Sequence, residues 1–188
     1  MNDIQLPLYG RLLYVGSMVK RKGLDLLMDA LKFVKQDFRL RIVGNGSENE
    51  VSEIRQLARS NGIENKIEFC GFKQGNDLIR EYKDADIFIF PTREDCFGLV
   101  LVEALCAGVP IISSKYADGA YDVIEEGKNG LLVNPYDAEE FGKKIEDVLN
   151  GTIHLEGADR ALVEKFSFEN AVKGYLDAID FVMREGAN

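Results

Sequence analysis

The chain has 188 residues, of which 46% are hydrophobic and 29% charged, a balance that suits one globular domain with its own core and excludes a disordered segment. Lys and Arg total 23 against 32 Asp and Glu, a net charge of −9, which argues against a nucleic-acid partner because phosphate backbones are held by clustered cations. No apolar run is long enough for a transmembrane helix, and residues 1–7 lack the basic start and apolar centre of a secretory signal, so a cytoplasmic location is expected.

Strand-length apolar runs alternate with helical patterns along the chain. Residues 12–15 read as a strand and 23–34 as a helix, followed by a strand at 39–43. A helix is expected at 48–60, with Ser47 and Glu50 as a capping box and Gly62 as its stop. Then come a strand at 66–70, a short helix at 76–83, a strand at 87–90 and a helix at 98–107. Strands at 109–113 and 130–133 precede helices at 138–149, 157–165 and 168–183. Strands joined by helix-length crossovers pair in parallel, and their apolar character predicts burial on both faces. The fold class is therefore α/β, a Rossmann-like doubly wound parallel sheet of about six strands in one domain. The last helices break the alternation and are expected on the outside or against a partner domain.

Cys70, Cys96 and Cys106 show no paired metal spacing and read as reduced thiols. Cys70 and Cys106 sit in apolar runs and are expected in the core, whereas Cys96 is a bystander with no nearby histidine to activate it. The single histidine, His154, follows Asn150-Gly151 and reads as a solvated loop residue.

Residues 91–110 carry the most chemistry: a strand end, a sharp turn, an almost wholly apolar helix and a second strand. Such a helix is expected to be buried all round, and Glu103 within it either pairs with a buried cation or accepts hydrogen bonds from a ligand's hydroxyls. Asp95 is either the helix N-cap or a ligand contact. Gly98 permits close backbone approach, and the first N–H groups, from Phe97 through Leu99 to Val100, are placed to receive phosphate. Upstream, residues 14–24 join Gly16 and Ser17 to three consecutive cations, Lys20, Arg21 and Lys22, at the carboxyl end of the first strand. Three adjacent cations in an acidic chain invite an anionic ligand, although a solvated basic turn has the same composition. The order is neither a Walker loop nor a dinucleotide fingerprint. After the second strand, Gly44 and Gly46 open room for a base or ribose, or form an ordinary turn. The loops at 118–123 and 127–131 fit a ligand rim and a plain strand connection equally.

The series Val-Gly…Lys-Gly at 15–23, Val-Gly-x-Gly at 43–46 and Phe-x-Gly at 69–71 continues into Ala-Asp-Ile-Phe-Ile-Phe-Pro at 85–91. It is completed by acid-x-Phe-Gly-x-x-x-x-Glu-Ala at 95–104, Ala-Gly-Val-Pro at 107–110 and Asn-Gly-Leu-Leu-Val at 129–133. In that order, over about residues 8–183, the chain resembles the C-terminal, donor-binding domain of the family 4 retaining glycosyltransferases, which are group 1 glycosyltransferases of the two-domain GT-B fold. The resemblance implies a nucleotide-diphosphate sugar as donor and no bound metal or other cofactor. It implies Glu103 on the ribose, Lys22 on the diphosphate and Asp95 on the transferred sugar, with Asp95 shorter than the family's glutamate. Ser17 stands where the family has a diphosphate-binding arginine, a departure that removes part of the phosphate clamp and leaves Arg21 or Lys20 to supply charge, and Asp122 stands where a glutamate is common. The implied acceptor is a glycan or lipid-linked saccharide bound by an N-terminal domain absent from this chain, in cell-surface polysaccharide synthesis and peripheral to a membrane. On that expectation the isolated chain binds donor without transferring it. Two other readings stay open: a non-catalytic nucleotide-sugar-binding or regulatory module, and a structural interaction domain.

Overall fold

The structure, a computed structural model, describes residues 9–157 and 160–185. The segment expected to lack a signal, 1–7, and the first turn of the helix expected at 157–165 lie wholly or partly outside these residues.

Six strands, β1 (Gly10–Val15), β2 (Phe38–Val43), β3 (Ile67–Gly71), β4 (Ile87–Phe90), β5 (Ile111–Ser114) and β6 (Gly130–Val133), form one sheet in the order β3-β2-β1-β4-β5-β6. Every ladder is parallel. Helices α1 (Leu24–Leu31), α2 (Glu48–Ser60) and α6 (Ala138–Leu149) cover one face, where Tyr14, Phe38, Leu40, Ile89 and Phe141 are fully buried. The opposite face carries α3 (Gly75–Asp84), α4 (Leu99–Cys106), α5 (Ala120–Val123) and α7 (Arg160–Lys165), packed around Phe88, Phe90, Leu101 and Leu105. Each such side chain taken from water stabilises the fold by about 1.5–3 kcal/mol. The chain winds outward from β1 toward β3 and then returns to β4, which lies on the other side of β1. The crevice between the carboxyl ends of β1 and β4 is the point where winding reverses, the usual ligand position in such sheets.

Local chemistry explains several boundaries. Ser47 caps α2, accepting the Glu50 N–H, while Glu50 Oε2 accepts the Ser47 N–H at 2.7 Å. Asp137 caps α6 through the Glu140 N–H at 3.0 Å. Helix α1 stops at Leu31 and not at Val34, and the three cations expected to lead into it form a 3-10 turn, Lys20–Lys22. Strand β5 begins at Ile111, because Val109 N–H is taken by Ala104 O behind α4.

Three expectations are corrected. Helix α4 is not buried all round: Leu99 is 71% exposed, and Glu103 and Cys106 are exposed with it. These positions, four and seven residues along from Leu99, form one stripe that opens onto a groove shared with α3. An apolar composition on a helix this short hides a solvent-facing stripe. Cys106 is therefore outside the core, and Cys70 is only half-buried, since β3 is an edge strand with Glu68 and Gly71 exposed. Hence β3 is not buried on both faces as expected. His154 lies in an exposed loop.

Helix α7 packs on α4, with Phe166 6.4 Å from Phe97 between ring centroids. Helix α8 (Phe168–Glu185) keeps Phe168, Val172, Tyr175, Leu176, Ile179 and Val182 exposed along one amphipathic stripe.

Candidate functional site

The loops leaving β1 and β4 are laid against each other at the winding reversal. Arg93 N–H donates to Arg21 O at 2.8 Å, and buried Thr92 places Oγ1 3.1 Å from Arg21 O and 2.7 Å from Glu94 O. The Arg93 guanidinium donates to Lys20 O at 2.5 Å and to both oxygens of Asp25 at 2.8 and 2.9 Å. Burial pushes the Asp25 carboxyl up, but Arg93 and Lys20 outweigh it and hold the group below its ordinary range. Gly23 makes this contact possible: it sits at φ 71°, and a Cβ there would lie 1.9 Å from Pro91 O.

These loops bring Lys22, Arg21 and Asp95 together. Lys22 Nζ lies 2.5 Å from Asp95 Oδ2 and 5.2 Å from the centroid of the Phe90 ring, while Arg21 reaches the same oxygen at 3.4 Å. Partial burial raises the Asp95 pKa, yet Lys22, the Phe97 N–H and Arg21 bring it below the usual carboxylate value. The Asp95 backbone is fixed as well, donating to Tyr116 O at 3.2 Å and accepting the Asp118 N–H at 2.9 Å. Asp95 is not the N-cap of α4. That position is Gly98, at φ 75° and with no side-chain cap, so Asp95 is instead the anionic partner of the β1 loop. Leu99 and Val100 open the helix, and their N–H groups belong to the first turn that lacks internal partners. Arg21, Lys22, Glu94, Asp95, Cys96, Tyr116 and Asp118 line a pocket of about 610 Å³.

A second pocket, of about 360 Å³, lies over the ends of β1, β2 and β3. Gly16, Ser17, Gly44, Val100 and Glu103 line it, together with Asn45, Phe72 and Lys73. Its floor continues the sheet, since Gly16 N–H donates to Val43 O and Gly44 N–H to Gly71 O, both at 2.9 Å. Fully buried Tyr14 donates from its hydroxyl to Ser17 O at 2.6 Å, and burial pushes that phenol's pKa well up. Glu103 Oε2 accepts the Tyr82 hydroxyl at 2.7 Å. Burial first, and then Glu103, raise the Tyr82 pKa strongly, so Tyr82 stays a neutral donor. No cation pairs with Glu103 among the described residues, which disposes of the buried ion pair as its explanation.

Most of the residues expected to touch the donor thus fall in two pockets over neighbouring strand ends. Four of them line neither. Gly98 caps α4 at φ 75°, where a Cβ would lie 3.0 Å from the Phe90 ring. Gly46 is a packing position, where a Cβ would lie 2.8 Å from Met18 Cβ. Phe97 packs on Phe166, and Leu99 turns into the apolar groove between α3 and α4. Asn45, Phe72, Lys73, Tyr82 and Tyr116 were not foreseen. Phe72 and Lys73 follow the Phe-x-Gly run directly, and their place after β3 was the available signal. Tyr82 meets Glu103 across 21 positions of sequence, which no local pattern carries.

The family model described as "Glycosyl transferases group 1" matches residues 9–162. The chain belongs to the group 1 glycosyl transferases. An uncharacterized glycosyltransferase of Methanocaldococcus jannaschii is 27% identical over 176 residues, covering 92% of this chain and 45% of that protein. The chain thus spans about half the length of the curated relatives it matches. In structure it is similar to a lipopolysaccharide outer core galactosyltransferase, WaaB, in its apo form, with a TM-score of 0.81 over 93% of this chain and 50% of the other, at 23% identity. It is also similar to HepE of Anabaena, solved in complex with UDP-glucose, with a TM-score of 0.69 and 27% identity over 77% of this chain and 40% of the other. This group 1 glycosyl transferase domain therefore shares the Rossmann-like half of the GT-B fold. Among the described residues no helix is long and apolar enough to cross a membrane.

Proposed function

We propose that this domain binds the donor of a retaining glycosyltransferase, a nucleotide-diphosphate sugar whose sugar passes to a glycan or lipid-linked acceptor. The observation that carries the proposal is the placement of the two pockets over neighbouring strand ends, one over β1, β2 and β3 and the other over β1 and β4. An open carboxylate, Glu103, stands beside a glycine-lined slot, and two cations, Lys22 and Arg21, meet Asp95 on the loop that leads into α4. A base fits over Gly16 and Gly44, its ribose hydroxyls reach Glu103, and the diphosphate meets Lys22, Arg21 and the free helix amides.

As the glycosidic bond breaks, the departing diphosphate gains negative charge. Lys22 leaves Asp95 for that phosphate and stabilises it more in the transition state than in the ground state. Asp95 is then free beside the transferred sugar. Positive charge from Lys22, Arg21 and the α4 amides serves the leaving group without a metal. Acceptor binding is assigned to the part of such proteins that this chain does not match.

Calorimetry with UDP-, GDP- and ADP-sugars up to millimolar concentration tests the reading. Binding of one of them, weakened at least tenfold by Glu103→Ala, is the expected result. No binding of any of the three would refute it, and binding without transfer in a protein of the relatives' full length would favour a non-catalytic module.

A further inference from the structure

The carboxyl ends of the strands form a row in the order β3, β2, β1, β4, β5, β6. The slot of Gly44 and Phe72 lies over the first three, and Lys22 with Asp95 lies over β1 and β4. Two tyrosines stand over the last two: Tyr116 just after β5 and Tyr136 just after β6. Their ring centroids are 5.6 Å apart with an edge-on angle of 66°. Both rings are open, Tyr116 at 39% and Tyr136 at 56% exposure, although they touch each other. The pair is held firmly. Tyr116 O accepts the Asp95 N–H, Tyr116 N–H donates to Ser114 Oγ at 3.1 Å, and the ion-paired Arg93 guanidinium sits 5.9 Å from the Tyr136 centroid. Lys115 lies 5.3 Å over the Tyr116 ring, on a long exposed side chain that a ligand ring can displace.

Tyr116 lines the same pocket as Lys22 and Asp95, and the exposed residues Glu94 and Asp118 line it too. Among the described residues those two carboxylates accept no hydrogen bond from a side chain. An aromatic face attracts the electropositive C–H surface of a sugar ring, and open carboxylates accept its hydroxyls. A wholly apolar partner would leave both carboxylates stranded.

We propose that Tyr116, backed by Tyr136, is a stacking platform for a hexopyranose ring whose hydroxyls are taken by Glu94 and Asp118. The proposal rests on the reading of the neighbouring pockets as a nucleotide-sugar site. The ring belongs either to the donor or to a saccharide acceptor, and the test separates the two. Calorimetry compares the chain with its Tyr116→Ala, Tyr116→Phe and Tyr136→Ala variants, using UDP, GDP and ADP, their glucose esters, and maltotriose added at saturating nucleoside diphosphate.

The nucleoside diphosphate affinity of each of the four proteins is the reference against which its sugar-bearing ligands are read. Tyr116→Ala is expected to lose roughly three- to tenfold in affinity for the glucose ester if the platform holds the donor sugar, or for maltotriose if it holds the acceptor. Tyr116→Phe keeps the affinity, and Tyr136→Ala shows a smaller loss in the same arm. If the diphosphates bind and neither sugar-bearing ligand distinguishes the variants, the platform is refuted while the donor site stands. If no diphosphate binds, both fall.

Discussion

Glu103 owes its usefulness to an arrangement with one neighbour. It is exposed on α4, yet its orientation is fixed by the neutral hydroxyl of buried Tyr82 at 2.7 Å. Tyr82→Phe keeps the ring and its packing on Phe88 while removing that donor. It is expected to weaken nucleotide binding by about 1–2 kcal/mol with little change in melting temperature, as read by calorimetry and thermal unfolding. Asp95 plays the opposite part, because it pairs with Lys22, the cation proposed for the diphosphate. Asp95→Asn removes the competing charge, so a nucleoside diphosphate is expected to bind about three- to tenfold more tightly while sugar transfer by a protein of full length falls. Equal or weaker diphosphate binding in Asp95→Asn would show that the carboxylate positions Lys22 rather than competing for it.

At the scale of elements, the site depends on how closely the β1 and β4 loops approach. Gly23→Ala places a Cβ against Pro91 O at a left-handed backbone position. It is expected to destabilise the domain by about 1–3 kcal/mol and to abolish donor binding, because the loops carrying Lys22 and Asp95 must part. A second junction lies below the site, where α3 meets β2. Glu81, only 7% exposed, receives the Arg41 guanidinium at 2.6 and 2.8 Å and the Lys73 ammonium. Arg41 above all, against the opposing effect of burial, and then Lys73 hold the Glu81 pKa down to about 2, from an ordinary 4.5. A depressed carboxylate contributes stability that is present above pH 4.5 and lost as pH falls toward 2. Thermal unfolding between pH 5 and pH 2 is expected to show that loss, on the order of 2 kcal/mol, and Glu81→Gln to be less stable at pH 7 with a shallower acid slope. An unchanged acid slope in Glu81→Gln would contradict this assignment.

At the scale of the molecule, the doubly wound sheet was legible in the sequence because the strand-length runs and capping residues agree at most elements, from Ser47 and Glu50 on α2 to the four-residue runs of β4 and β6, whereas the short helix α5 falls in a stretch whose glycines read as a loop. The candidate pockets were legible in outline, since Gly16, Lys22 and Asp95 lie where loops leave the sheet and Glu103 lies on the helix that follows β4. The apolar residues around Glu103 predict burial, and the structure instead leaves it exposed beside a slot. Periodicity over the eight residues of α4 does not separate a buried helix from one with an open stripe. Tyr82 and the Tyr116–Tyr136 pair were hidden because they meet their partners only through the winding of the sheet. The central claim is that two pockets across the winding reversal form one donor site, with Lys22 on the diphosphate and Glu103 on the ribose. Calorimetric titration of nucleoside diphosphates into the chain and into its Lys22→Ala and Glu103→Ala variants tests it most directly. The account predicts binding by the chain and a loss of about 1.5–3 kcal/mol, more than tenfold in affinity, in each variant. Binding that is absent from the chain, or indifferent to both substitutions, would contradict it.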